Sequence, residues 1–88
     1  MPRIEIPEAA ADVASQGATA TILFELGMMC CNGHGAENDL VAAHKWFNLA
    51  ALKGSDDAKY YRSELSREMS TAQIHEAQRQ ARAWLTLH

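Results

Sequence analysis

The chain has 88 residues, a formal net charge of −3, 48% hydrophobic residues and 22% charged residues. This composition is typical of one small globular domain, here spanning 1–88, rather than of a disordered chain. The negative balance argues against nucleic acid as a partner, and no segment approaches the roughly 20 apolar residues of a membrane span.

The first predicted helix lies in an N-terminal segment, 1–17. Pro7 and Glu8 suit a first helical turn, because proline needs no hydrogen-bond partner there and an acid meets the positive end of the helix dipole. Gly17 is expected to end this helix. The stretch MPRIEIPEAA holds acidic residues and no long apolar run, so we expect no secretion signal in it.

A second helix is predicted from Thr19 to Asn32. Its apolar residues recur at spacings of three and four, which places them on one stripe: Ile22, Leu23, Leu26, Met29 and Cys30. Gly27 lies inside this helix, where glycine costs about 1 kcal/mol relative to alanine. We therefore expect a neighbouring helix to approach closely at Gly27.

The sequence NGHG then ends the second helix, since glycine supplies the left-handed backbone of a helix end. Asp39 is the predicted N-cap of a third helix over 40–53. The strongest apolar stripe of that helix consists of Ala43, Trp46, Phe47 and Ala50. Lys53 in its last turn and Gly54 beyond it are typical of a helix C-terminus.

Ser55, followed by two aspartates, predicts the start of a fourth helix that runs to about Glu68. Ser70 and Gln73 form an S-x-x-Q capping box at the start of a last helix. The predicted buried face of that helix consists of Ile74, Ala77, Ala81 and Trp84. No segment has the alternation of a strand, so the sequence predicts an all-α fold of five helices.

These motifs resemble one complete unit of the Sel-one-like repeat family, a relative of the tetratricopeptide α/α repeats. The matching signature positions are Leu26, Gly27, Gly33, Gly35, Asp39, Ala43, Trp46, Ala50 and Gly54. Cys30 departs from the family, which prefers tyrosine there, and Ala36 stands where valine is preferred. In the next unit Arg62 and Ser63 replace the family's Leu-Gly.

The resemblance covers about 18–85. It makes 18–54 the complete repeat and 55–88 a half repeat followed by a capping helix. It implies a short α-solenoid of antiparallel helix pairs closed by that C-terminal helix. In such units Gly27 would lie close to the second helix, so that Trp46 and Ala50 reach the first helix and the Trp46 indole fills the space beside Gly27. We expect Leu26, Trp46 and Ala50 to be core residues.

The resemblance also implies a function. Similar proteins act as adaptors that bind proteins or peptides on the concave face formed by the first helices of each pair. We therefore predict a protein–protein interaction module or small accessory protein rather than an enzyme, with binding residues at Glu25, Met28, Cys31 and Tyr61. Because about three repeats usually share one core, a second copy of the chain is another possible partner.

The alternative function is a thiol- or metal-responsive sensor that uses Cys30, Cys31 and His34. Zinc needs about four converging ligands, whereas adjacent helical residues point about 100° apart, so we expect no metal. Gly33-x-Gly35 lacks the preceding strand and the lysine of a phosphate-binding loop. We expect no cofactor and no catalytic residue.

Two further expectations concern the cysteines and the aromatic residues. Adjacent cysteines do not make a disulfide framework, which favours a reduced, cytoplasmic protein. Trp46, Phe47, Tyr60 and Tyr61 are too many large rings for so small a core, so Phe47 or Tyr61 is expected at the surface.

Overall fold

The computed structural model describes residues 19–32 and 39–87. The predicted helix within 1–17 and the turn with Gly33, His34 and Gly35 lie outside the described residues. The described ranges contain four helices and no strand, which agrees with the predicted all-α fold. The helices are α1 Ala20–Cys31, α2 Leu40–Leu52, α3 Asp56–Ser66 and α4 Thr71–Leu87. Among these four there is none with the length and apolar character needed to cross a membrane.

Side-chain caps fix where the helices begin. The Asp39 carboxylate accepts a hydrogen bond from the Ala42 amide at 2.9 Å, and the Ser55 hydroxyl accepts one from the Ala58 amide at 3.0 Å. These bonds satisfy amide groups that have no partner within the helix. The predicted N-caps of α2 and α3 are therefore confirmed.

The capping box of α4 is also present. The Gln73 backbone N–H donates to the Ser70 hydroxyl at 3.1 Å. The Ser70 backbone N–H donates to the Gln73 side-chain carbonyl at 2.8 Å. Each residue thus satisfies a backbone N–H of the other. At the other end of α2, Gly54 has φ of +105°, a conformation that favours glycine and lets the chain turn into α3.

The core is centred on α2, which packs against α1, α3 and α4. Seven of the 13 residues of α2 are buried, against two in each of α3 and α4. The predicted stripe of α2 is confirmed, since Ala43, Trp46, Phe47 and Ala50 are all buried. Ala77 and Ala81 are buried on the predicted face of α4.

The close approach at Gly27 is confirmed, but the neighbouring side chain is not the expected one. A Cβ atom at Gly27 would lie 2.6 Å from two ring carbons of Phe47. Trp46 is buried elsewhere and makes an edge-on contact with Trp84, with ring centroids 5.7 Å apart. Residues 46 and 47 are about 100° apart around the helix, so α2 presents phenylalanine to α1 and tryptophan to α4.

This arrangement corrects the expectation about the surface aromatic residue. Phe47 is 0% exposed, while Tyr60 is 61% exposed. Tyr61 is half-buried. Phe47 can be fully buried because glycine at position 27 leaves room for its ring.

Candidate functional site

A groove of about 520 Å³ lies between the start of α1 and the turn from α2 to α3. The two sides of the groove are far apart in the sequence and are brought together by the packing of α1 and α3 around α2. The lining residues are Ala20, Thr21, Phe24, Glu25, Gly54, Ser55, Asp56 and Asp57.

Phe24 gives the groove an apolar wall that is supported from behind. Its ring centroid lies 5.6 Å from that of Phe47 and 5.6 Å from that of Tyr61. Phe47 and Tyr61 stack at 5.7 Å, and Tyr60 meets Tyr61 edge-on at 5.3 Å. Because these four aromatic residues pack against one another, the position of Phe24 does not depend on a bound ligand.

The charge of the groove is negative. Glu25 lies on one side and Asp56 and Asp57 on the other, and among the described residues no lysine or arginine lines the groove. Lys59 lies 3.6 Å from Asp56, but exposed ion pairs of this kind contribute little. The start of α3 adds only about half a positive charge. Three carboxylates therefore outweigh the nearby positive charge.

The structure separates the predicted binding residues into two groups. Glu25 is exposed and lines the groove, and Tyr61 supports the groove through its contact with Phe24. Met28 and Cys31 are half-buried and pack against the core, and they do not line the groove.

Sequence reasoning missed Phe24, Asp56 and Asp57 as groove residues. The two aspartates were assigned to the start of a helix, a role that they also have. A local pattern does not show that the turn after α2 lies beside the start of α1. One sequence signal pointed towards Phe24: at an offset of 36 residues, a weak internal repeat aligns it with Tyr60.

The two cysteines are free and half-buried. Burial raises the pKa of the Cys30 thiol, and the nearby Asp39 carboxylate adds to this while Lys45 opposes it. Burial also raises the pKa of the Cys31 thiol, with a further contribution from Glu68. A raised pKa lowers the thiolate fraction at neutral pH and makes a thiol less reactive.

Within 19–32 and 39–87, there is no group of three or more histidine, cysteine, aspartate or glutamate side chains that could hold a metal ion. His34, which belonged to the predicted sensor site, lies outside these ranges. The described residues therefore contain two thiols of the predicted sensor site, without a third histidine, cysteine, aspartate or glutamate placed to complete a metal site.

One histidine–serine pair was not predicted from the sequence. His44 Nε2 lies 3.1 Å from Ser66 Oγ, a distance suited to nucleophile activation. The Ser66 hydroxyl, however, donates to the Arg62 carbonyl at 2.9 Å, and the imidazole is only 2% exposed. A buried pair whose hydroxyl proton is already donated to the backbone is a structural contact between α2 and α3.

Comparison with profiles of known protein families, with curated proteins and with solved structures finds no match. The likeness to Sel-one-like repeats therefore depends on the sequence motif described above.

Proposed function

We propose that this protein is an interaction module that binds a segment of another protein, or a peptide, in the groove beside Phe24. In this proposal α1 and α2 form the complete repeat of a short α-solenoid, α3 begins a second repeat, and α4 caps the array. The observation that carries the proposal is the groove itself, which has a pre-formed aromatic wall and charged rims.

The groove is large enough to hold part of a peptide segment. Small-ligand sites usually enclose about 300–1,000 Å³, and the groove is within that range at about 520 Å³. Such a volume accepts one or two side chains of an extended segment. Apolar contact with Phe24 would supply affinity at roughly 25 cal/mol per Å² of buried apolar surface.

The charge of the groove indicates which segments it would prefer. Glu25, Asp56 and Asp57 would attract lysine or arginine and repel acidic segments. A guanidinium group can also stack on the face of an aromatic ring such as Phe24. A partner segment that combines arginine with an apolar residue would therefore match both features.

Selection from a random peptide library provides a direct test. Enriched peptides are measured for binding to the native chain and to the variant Thr21→Arg, which places a bulky cation in the groove. The control is Thr71→Arg, because both threonines are exposed and both lie in the first turn of a helix. We expect Thr21→Arg to weaken binding at least about tenfold, equivalent to about 1.4 kcal/mol, while Thr71→Arg leaves it unchanged.

Two results would contradict the proposal. One is that no peptide is enriched over an unrelated helical protein. The other is that enriched peptides bind both arginine variants equally well, which would place the binding surface elsewhere. Light scattering on the same samples tests the second-copy alternative, since a dimer disrupted by Thr21→Arg would identify the chain itself as the partner.

The sensor hypothesis is less well supported by the structure. Both thiol pKa values are raised, whereas redox-responsive cysteines usually have lowered values. The hypothesis stays a prediction, and its test is given in the Discussion.

A further inference from the structure

A partly buried polar network joins α2 to α3 through residues that do not line the groove. His44 Nε2 contacts Ser66 Oγ at 3.1 Å, and the Ser66 hydroxyl donates to the Arg62 carbonyl at 2.9 Å. The Arg62 guanidinium in turn donates to the Asn48 side-chain carbonyl at 2.7 Å. His44 lies at one end of this network and is buried in the core, with 2% of its surface exposed.

The hydrogen bonds define the protonation state of the imidazole. A serine hydroxyl has one proton, and that of Ser66 is donated to the Arg62 carbonyl. His44 Nε2 must therefore carry a proton and donate it to Ser66 Oγ. His44 Nδ1 then carries the lone pair of a neutral imidazole, and it is buried without a hydrogen-bond partner among the described residues.

Protonation of Nδ1 would be unfavourable in this position. It would create a buried positive charge, which costs free energy, and the backbone carbonyl of His44 itself offsets only part of that cost. The charge would also lie near the Arg62 guanidinium of α3. Arg62 is the charged group that acts on the imidazole; no carboxylate of the described parts of α1, α2, α3 or α4 offsets it.

We propose that His44 is an acid-sensitive latch, which holds α3 on α2 while the imidazole is neutral and loosens that contact when the imidazole becomes protonated. The latch does not rest on the groove proposal, because its evidence is the contact of His44 with Ser66 and the burial of the imidazole.

The direction of the pH dependence follows from the local environment. Burial lowers the pKa of His44 from its ordinary value of 6.5, the nearby Arg62 lowers it further, and the backbone carbonyl of His44 itself only partly opposes this. In the unfolded chain the imidazole takes up its proton near the ordinary value. As the pH falls below 6.5, the unfolded state therefore binds more protons than the folded state, and stability is lost until the folded pKa is passed.

The size of the effect depends on the difference between the two pKa values. Each unit of difference makes the folding equilibrium constant about tenfold smaller on the acid side. Above pH 7.5 the latch contributes no pH dependence, because the imidazole is then neutral in both states.

The test is urea unfolding at pH 7.5 and pH 5.0 for the native chain, His44→Gln and His75→Gln. Glutamine can still donate a hydrogen bond towards Ser66 but takes up no proton, and His75 is an exposed control. We expect the native chain and His75→Gln to lose stability at pH 5.0, and His44→Gln to lose a smaller factor in the folding equilibrium constant.

Imidazole NMR titration of the native chain gives a second measurement that does not depend on how well His44→Gln folds. We expect His44 to titrate below its ordinary value of 6.5, and α3 amides to lose hydrogen-exchange protection as His44 titrates. The proposal is overturned if His44 titrates at or above 6.5, if α3 protection is unaffected, or if His44→Gln shows the native pH dependence.

Discussion

Phe47 lies against Gly27 so closely that the two residues fit only as a pair. A Cβ atom at position 27 would be 2.6 Å from both Cδ1 and Cε1 of the ring. The ring has little freedom to move away, because Phe24 and Tyr61 lie against it. The spacing between α1 and α2 is therefore set by the absence of a side chain at one position.

The first prediction is that Gly27→Ala destabilises the fold. Overpacking of a filled core costs about 1–3 kcal/mol, while alanine in place of glycine gains about 1 kcal/mol of helix propensity. We expect a net loss of up to about 2 kcal/mol, measured by urea denaturation. Phe47→Leu should restore part of it, so that the double variant loses less than the sum of the two single variants.

Gly54→Ala is the matched control for the double-mutant cycle of Gly27→Ala and Phe47→Leu. Nothing lies within 4 Å of a Cβ atom at Gly54, but its φ of +105° strains any other residue. The variant should lose about 1–3 kcal/mol with no rescue by Phe47→Leu. Equal rescue of both glycine variants would show that the contact at Gly27 is not specific.

The second prediction concerns the contact between Trp46 and Trp84. Trp84 is half-buried and packs against the core from α4, so Trp84→Ala should cost about 2 kcal/mol, less than the roughly 3–5 kcal/mol of a fully buried tryptophan. The near-ultraviolet circular dichroism of the edge-on pair should also diminish. Leu85→Ala, at a neighbouring residue that is 47% exposed, should cost under about 1 kcal/mol. Comparable losses in both variants would contradict the assigned packing of α4.

The third prediction tests the capping box of α4. Ser70→Ala removes the hydroxyl that accepts from the Gln73 amide and should cost about 1 kcal/mol. Ser63→Ala is the control, because Ser63 is exposed inside α3 and alanine is a better helix former there. Thermal unfolding of both variants measures the difference. An unchanged melting temperature for Ser70→Ala would contradict the prediction that the capping box stabilises the fold.

The fourth prediction is that both thiols react slowly in the folded protein. Their pKa values are raised by burial, so less thiolate is present at pH 7 than in an unfolded chain. Reaction with a chromogenic disulfide should accelerate when urea is added, and Cys30→Ser and Cys31→Ser each report on the remaining thiol. Native rates equal to the unfolded rates, or stoichiometric zinc in the purified protein, would instead favour the sensor hypothesis.

The helix positions and much of the core could be predicted from the sequence because the signals are local. The caps at Asp39, Ser55 and Ser70 act within three residues, and the stripe of α2 follows from helical periodicity. Those signals define element starts and buried faces without reference to the rest of the chain.

The pairing of the aromatic residues and the groove could not be predicted in the same way. Trp46 and Phe47 are adjacent large aromatic residues, and only the placement of α1 and α4 decides which ring meets Gly27. The groove joins Glu25 to Asp57 across the turn after α2, and the His44–Ser66 contact joins two helices. Each of these depends on how complete helices are arranged, which a single sequence pattern does not specify.

The central position of α2 has a consequence for how the protein can vary. Each of the other three described helices depends on α2 for its packing. Changes on α2 disturb several interfaces at once, whereas changes on the outer faces of α1 and α4 disturb none. A systematic mutational scan should therefore find tolerance concentrated at the periphery, and a fragment without residues 40–52 should be unable to fold.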